Sequence, residues 1–144
     1  DGLIVVDLQP EEDGELFSQM KLKNLDLIRL ITPNTTPKRL KTISSHASGF
    51  LYYVTITGIT GQKSANMKEL KKSVKNIKKY TKLPIVAGFG IKNKKHVKEI
   101  CKVTNGVVVG SSLVEIIEKN LTKKNNILRS LSLFVKDLKK GTNI

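Results

Sequence analysis

Three short glycine-containing stretches carry the sequence features most typical of chemistry in this chain. They are TGITG at 57–61, GFGI at 88–91 and VGSS at 109–112, and each follows a run of apolar residues. Because glycine has no Cβ, backbone N–H groups beside it can approach an anion closely. Ser111 and Ser112 also stand at the start of a predicted helix, whose first N–H groups favour phosphate. A single glycine at a strand end is usually only a turn, but three in succession predict a phosphate site.

Few other side chains are placed to act as acids, bases, nucleophiles or metal ligands. Asp7 is the only carboxylate predicted at a strand end on the side of the glycine stretches, and a structural role suits it better than that of a general base. His46 and His96 are predicted to be exposed rather than catalytic. Cys101 stands alone in a helical pattern and is predicted to be a buried thiol. No spacing typical of a metal site is present.

Alternating strands and amphipathic helices must position these loops. Pro10, Thr36, Asn93 and either Ser111 or Ser112 are predicted to begin helices. The first strand, Gly2–Asp7, is an apolar run that predicts burial on both faces. The alternation predicts a parallel sheet with right-handed crossovers. Strands are expected to begin near residues 2, 27, 50, 84 and 106.

Two parallel architectures compete for this pattern. A doubly wound open sheet of five strands would suit 144 residues. A (β/α)8 barrel needs eight strands and about 250 residues, so the chain would be only part of one. Asp1 leads directly into a strand of buried type, which favours the partial barrel.

The net charge of +14 could indicate a polyanion partner. However, 23 of the 26 basic residues are lysines and only three are arginines, and arginine is the usual reader of bases and phosphates. The lysines recur on the predicted polar faces of helices, so a solvated surface is favoured over nucleic-acid binding. No apolar run approaches the ~20 residues needed to span a membrane.

Four segments, VDLQPEE, GFLYYVTITGITG, LPIVAGFGI and NGVVVGSSLV, closely resemble the C-terminal half of the tryptophan synthase alpha chain family. The resemblance implies a (β/α)8 TIM barrel, with residues 1–144 as the C-terminal part of its single domain and with strands four to eight. It also implies a lyase of tryptophan biosynthesis, which cleaves indole-3-glycerol phosphate to indole and glyceraldehyde 3-phosphate by a retro-aldol reaction. The implied partner is the beta chain, with which the alpha chain forms an alpha2-beta2 tetramer. Only the beta chain carries pyridoxal phosphate.

Carried over residue by residue, the resemblance implies four kinds of site residue. Tyr52 would line the substrate pocket, Thr60 would belong to the loop that closes over the active site, and Asp7 would lie near the beta chain. The substrate phosphate would be bound by backbone groups of Gly61, Gly90, Gly110 and Ser111. No metal, no cofactor in this chain, no nucleic acid and no membrane are implied.

The sequence departs from the family at two positions. Gln9 stands where relatives usually have proline in a loop that faces the beta chain, and Ile56 replaces a position that is often polar. The two catalytic carboxylates of the family precede residue 1, so no catalytic residue is assigned in this segment, and the isolated chain is predicted to be inactive.

Two alternative functions remain at this point. The first is a half-barrel module that binds phosphate or nucleic acid without catalysis. The second is another phosphate-binding barrel, of the same pathway or of histidine synthesis, although the TGITG stretch argues against it. The cysteine usage indicates an intracellular protein, and the excess of Lys, Asn and Ile fits either the cytoplasm or a plastid stroma.

Overall fold

A computed structural model describes residues 1–54, 63–88, 90–122 and 124–142. Five strands alternate with helices in this part of the chain, and two helices end it. The strands are β1 (Gly2–Ile4), β2 (Asp26–Ile31), β3 (Leu51–Val54), β4 (Ile85–Gly88) and β5 (Gly106–Val108). The helices are α1 (Gly14–Leu22), α2 (Pro37–Ser45), α3 (Lys63–Ile77), α4 (Lys94–Cys101), α5 (Ser111–Lys119) and α6 (Lys124–Lys139).

The strands form one parallel sheet in the order β1-β2-β3-β4-β5. Each strand therefore lies beside its neighbour in the sequence, whereas a doubly wound sheet reverses its strand order partway along. In the register, Tyr52 of β3 lies between Leu30 of β2 and Val86 of β4. The order is that of a barrel wall.

The helices cover one face of this sheet. Along β3 and β4, Leu51, Tyr53, Ile85 and Ala87 point alternately into a core that they share with helical side chains. Those helical side chains come from α2, α3, α4 and α6: Leu40, Ile43, Leu70, Val74, Ile77, Val97, Ile100 and Leu138. Helices on a single face are typical of a TIM barrel, where the other face lines the barrel interior. The predicted partial barrel is therefore confirmed, and the open doubly wound sheet is excluded.

Capping side chains begin two of the helices as predicted. The Thr36 hydroxyl accepts from the Arg39 N–H at 3.3 Å, and the Asn93 side chain accepts from the His96 N–H at 3.1 Å. The predicted start of α1 at Pro10 is wrong, since the helix begins at Gly14. Residues 9–12 form a turn instead, closed by a 3.0 Å bond from the Glu12 N–H to the Gln9 carbonyl.

The first strand differs from its prediction. It spans only Gly2–Ile4 and is exposed, with Leu3 at 47% and Ile4 at 44% of full exposure. The expected burial on both faces is wrong, and β1 also pairs only with β2 among the described strands. The β1 edge and the β5 edge are the two ends of the described wall.

Candidate functional site

The loops after β4 and β5 lie at the carboxyl edge of the sheet, where parallel α/β proteins bind ligands. Gly90 follows β4 with φ of +58°, a left-handed conformation that glycine adopts without steric cost. Gly90 is exposed. Gly90 thus has the left-handed backbone that glycine favours, and it is exposed at the expected edge.

The N-terminus of α5 forms the second part of this edge. Gly110 is the N-cap residue, and its carbonyl accepts from the N–H groups of Leu113 at 2.8 Å and Val114 at 3.2 Å. Ser111 and Ser112 are therefore the first two helical residues, and the N-cap position is filled by Gly110. Their N–H groups precede the first intrahelical bond and lie at the positive end of the helix dipole. This arrangement can accept an anion.

One serine joins the two loops. The Ser112 hydroxyl donates to the carbonyl of Ile91, with 2.5 Å between the oxygens. Ile91 itself is buried in the core, so the bond ties the start of α5 to an anchored point of the β4–α4 loop. The structure thereby brings Gly90 to the same edge as Gly110 and Ser111, three of the four predicted phosphate-binding residues.

The glycines of this edge leave different amounts of room. Among the described residues other than its chain neighbours, a Cβ built on Gly90 or on Gly110 would meet no atom within 4 Å, so there is open space for an anion there. A Cβ on Gly88 would lie 2.6 Å from Tyr52 Oη and 2.8 Å from Tyr52 Cε2. The ring of Tyr52 therefore crosses β4 above Gly88, on the face opposite to Tyr53 and the helices. Its predicted role in lining the substrate pocket stays a prediction.

The remaining predicted site residues are only partly described. Thr60 and Gly61 lie outside the described residues, as does Ile56, so their predicted roles stay predictions. Asp7 is exposed and lies three residues beyond β1, which ends at Ile4. It is therefore not at the strand end itself.

A buried ionic cluster beside Asp7 was missed by sequence reasoning. Asp13, whose side chain is 0% exposed, forms an ion pair with Arg29 of β2, and its other oxygen lies 2.9 Å from His46 Nδ1. His46 stacks on Phe17, with 5.3 Å between the ring centroids, so the prediction that His46 is simply exposed is wrong. His96 is likewise half-buried. An arginine in an otherwise apolar strand was the available signal, since a buried arginine requires a partner.

The pKa values of several ionisable groups differ from their ordinary values for identifiable physical reasons. Burial lowers the pKa of Arg29. A backbone hydrogen bond and a bond from Arg39 lower the pKa of Glu11. Elsewhere, burial raises the pKa of the Cys101 thiol. Cys101 packs against the core but is only half-buried, rather than fully buried as predicted. No group of three or more potential metal ligands occurs among the described residues.

Comparisons with known proteins give a consistent result. The sequence profile of the family described as "Tryptophan synthase alpha chain" matches residues 1–143. The tryptophan synthase alpha chain of Petrotoga mobilis is 40% identical over 138 residues, 96% of this chain and 54% of that protein. The corresponding protein of Methanocaldococcus jannaschii is 43% identical over 126 residues, 88% of this chain and 45% of that protein. The chain thus spans about half the length of these curated relatives.

Solved structures are similar over almost the whole chain. The tryptophan synthase subunit alpha of Legionella pneumophila superposes with a TM-score of 0.83 at 30% identity, covering 99% of this chain and 52% of that one. A tryptophan synthase structure of Mycobacterium tuberculosis gives a TM-score of 0.82 at 28% identity, covering 99% and 52%. Within the described residues, no helix is both long and apolar enough to cross a membrane.

Proposed function

This chain belongs to the tryptophan synthase alpha chain family, and from this premise we propose that it forms the phosphate-binding half of a tryptophan-biosynthetic lyase. The reaction is the retro-aldol cleavage of indole-3-glycerol phosphate to indole and glyceraldehyde 3-phosphate. Residues 1–144 are the C-terminal part of one barrel domain in this proposal. The non-catalytic half-barrel alternative is not favoured by the family membership.

One observation supports the phosphate role most directly. The left-handed turn at Gly90 and the N-terminus of α5 are joined by the bond from Ser112 to Ile91. A Cβ built on Gly110 would have no described residue beyond its chain neighbours within 4 Å, which leaves space for an anion at the start of α5. A phosphate group there would be bound by N–H groups and by the helix dipole rather than by a cationic side chain. Gly61, which follows β3 in the sequence, would add a backbone contact from a third loop.

The remaining proposed roles concern binding and orientation. Retro-aldol cleavage needs one group to protonate the indole carbon and another to accept a hydroxyl proton. This segment supplies neither in our proposal. Tyr52 lines the pocket beside Gly88, and Thr60 belongs to the closing loop. We therefore expect the isolated residues 1–144 not to cleave indole-3-glycerol phosphate, and turnover clearly above background would contradict this.

We propose a beta chain as the protein partner, with pyridoxal phosphate bound only by that chain. The exposed Asp7 and Gln9 lie on the segment that would face it. Neither a metal nor a cofactor is proposed for this chain.

The decisive experiment uses two glycines at helix starts. Gly110→Val adds a Cβ that would have no described residue beyond its chain neighbours within 4 Å, so it should fill the proposed phosphate space without an internal clash. Gly14→Val is the matched control, because Gly14 begins α1 and its Cβ would also meet nothing within 4 Å. In the full-length gene product, calorimetric titration with glycerol 3-phosphate should show at least about tenfold weaker binding for Gly110→Val, equal to about 1.4 kcal/mol. Equal affinity in both variants would refute the assignment.

A further inference from the structure

The segment Asp7–Asp13, between β1 and α1, is fixed by two of the three arginines in the chain. We call it the held segment. Among 26 basic residues only Arg29, Arg39 and Arg129 are arginines. Arg29 and Arg39 come from different elements, β2 and α2, and both bind this one segment. In a chain that otherwise uses lysine, this coincidence indicates that the segment requires arginine.

Arg29 holds the segment from the helix side of the sheet. The residue is only 4% exposed, and its Nη1 donates to the Leu8 carbonyl at 2.7 Å. Its Nε donates to the His46 carbonyl at 3.1 Å, and Nη2 pairs with the buried carboxylate of Asp13. One guanidinium therefore fixes both ends of residues 8–13 and the end of α2. Lysine has a single donor atom and could not make these three contacts together.

Arg39 holds the middle of the same segment from α2. Its Nη1 donates to a Glu11 carboxylate oxygen, and its Nη2 donates to the Gln9 amide oxygen. These contacts use both terminal nitrogens of the guanidinium. They reach one residue on each side of Pro10 in the turn. Gln9 supplies a side-chain amide oxygen for one of these two contacts, so that contact depends on the glutamine side chain.

We infer that Arg29 and Arg39 are positioning residues, which hold the segment carrying Asp7 and Gln9 in one conformation before a partner protein docks on it. A segment that is already ordered loses less conformational entropy on binding, so the affinity is higher. The partner in this inference is the beta chain, and that part rests on the proposed function. The fixation of the segment itself rests only on the contacts above.

The test uses Arg39→Lys, with Arg129→Lys as the matched control. The substitution at Arg39 would keep the charge but lose one of the two contacts, and Arg129 is an exposed residue of α6 away from the segment. In the full-length gene product, amide hydrogen exchange of residues 8–13 should become about three to five times faster in Arg39→Lys, the size expected for an exposed ion pair. Exchange in β3 and β4 should stay the same, and Arg129→Lys should match the wild type. Unchanged exchange of residues 8–13 in Arg39→Lys would overturn the inference.

A second measurement separates positioning from a merely structural role. Affinity for purified beta chain should fall by about threefold to fivefold in Arg39→Lys while the midpoint of thermal unfolding stays within about 2 °C. Faster exchange with unchanged beta-chain affinity would overturn the docking role. Titration with glycerol 3-phosphate should give the wild-type affinity in both variants. If the wild type does not bind glycerol 3-phosphate, the proposed function fails. The exchange result would still show whether Arg39 orders the held segment.

Discussion

The held segment, which follows β1, and the proposed phosphate site, which follows β4 and β5, are built by opposite means. We call the proposed phosphate site, formed by Gly90, Gly110 and Ser111, the phosphate edge. The held segment is fixed by side chains, through the guanidinium groups of Arg29 and Arg39. The phosphate edge is built from backbone, with a left-handed turn at Gly90 and an N-cap without a side chain at Gly110. Its only side-chain tie among the described residues is Ser112.

This difference follows from the role that we propose for each region. An anion that binds to backbone N–H groups needs side chains to be absent, so the edge consists of glycines and a helix start. The exposed stretch Asp7–Gln9 binds no anion in this way and has few apolar contacts. Hydrogen bonds and ion pairs from residues distant in the sequence must therefore order it. The four predictions below test this contrast, from the largest expected effect to the smallest.

Removing Arg29 should have the largest effect. Arg29→Met would leave the carboxylate of Asp13 buried without its main counter-charge, and breaking a buried pair costs about 3–5 kcal/mol. We expect a loss of this size in the free energy of unfolding, measured by urea denaturation at pH 7. A loss below about 1 kcal/mol would show that the segment does not depend on this pair.

A double variant separates the pair from the packing. Asp13→Leu combined with Arg29→Met replaces both charges by apolar side chains, which is often close to neutral for a buried pair. We expect it to recover most of the lost stability. A double variant as unstable as Arg29→Met would contradict an ionic origin and indicate the loss of the bond to Leu8 instead.

On the other side of the comparison, Gly88→Ala tests the backbone-built edge. The added Cβ would lie 2.6 Å from Tyr52 Oη, and the rigid ring must shift, at a cost of about 1–3 kcal/mol. Gly106→Ala is the matched control, because Gly106 lies on the neighbouring strand and its Cβ would lie 3.6 Å from Val86, an ordinary contact. Unfolding by urea should show a clear loss only for Gly88→Ala. Equal stabilities of the two variants would mean that Tyr52 moves freely.

The contrast also explains how much the sequence could predict. Glycine stretches after apolar runs are local signals, so Gly90 and Gly110 could be placed at one edge before the structure was known. The strand order followed from alternation together with the family resemblance. In contrast, Asp13 and Arg29 are 16 residues apart, and nothing local in the sequence pairs them. Pro10 predicted a helix start, but the contacts of Arg39 with Gln9 and Glu11 stabilise a turn there instead.

Ser112→Ala tests the tie within the phosphate edge. Loss of the bond to the Ile91 carbonyl should free the Gly90 loop and weaken glycerol 3-phosphate binding by about fivefold, the effect of one hydrogen bond of about 1 kcal/mol. Ser45→Ala is the control, since its hydroxyl also donates to a backbone carbonyl, that of Thr42 at 2.9 Å, but in α2. Calorimetric titration of both variants should show weaker binding only for Ser112→Ala. Equal affinities would mean that the Ser112 tie is dispensable.

The smallest effect concerns acid and should appear only in the held segment. The pKa of Glu11 in the folded protein lies below its ordinary value of 4.5, mainly because of a backbone hydrogen bond and the bond from Arg39. The charged carboxylate therefore stabilises the folded protein above pH 4.5, and this contribution is lost as the pH falls through the lower folded pKa. Amide exchange of residues 8–13, corrected for its intrinsic pH dependence, should accelerate below pH 4.5 in the wild type. Glu11→Gln should lack this acid-dependent step, since glutamine does not titrate. If exchange accelerates equally in both proteins, the acid-dependent opening belongs to a carboxylate other than Glu11. The contact between Arg39 and Glu11 would then have no role in ordering the segment.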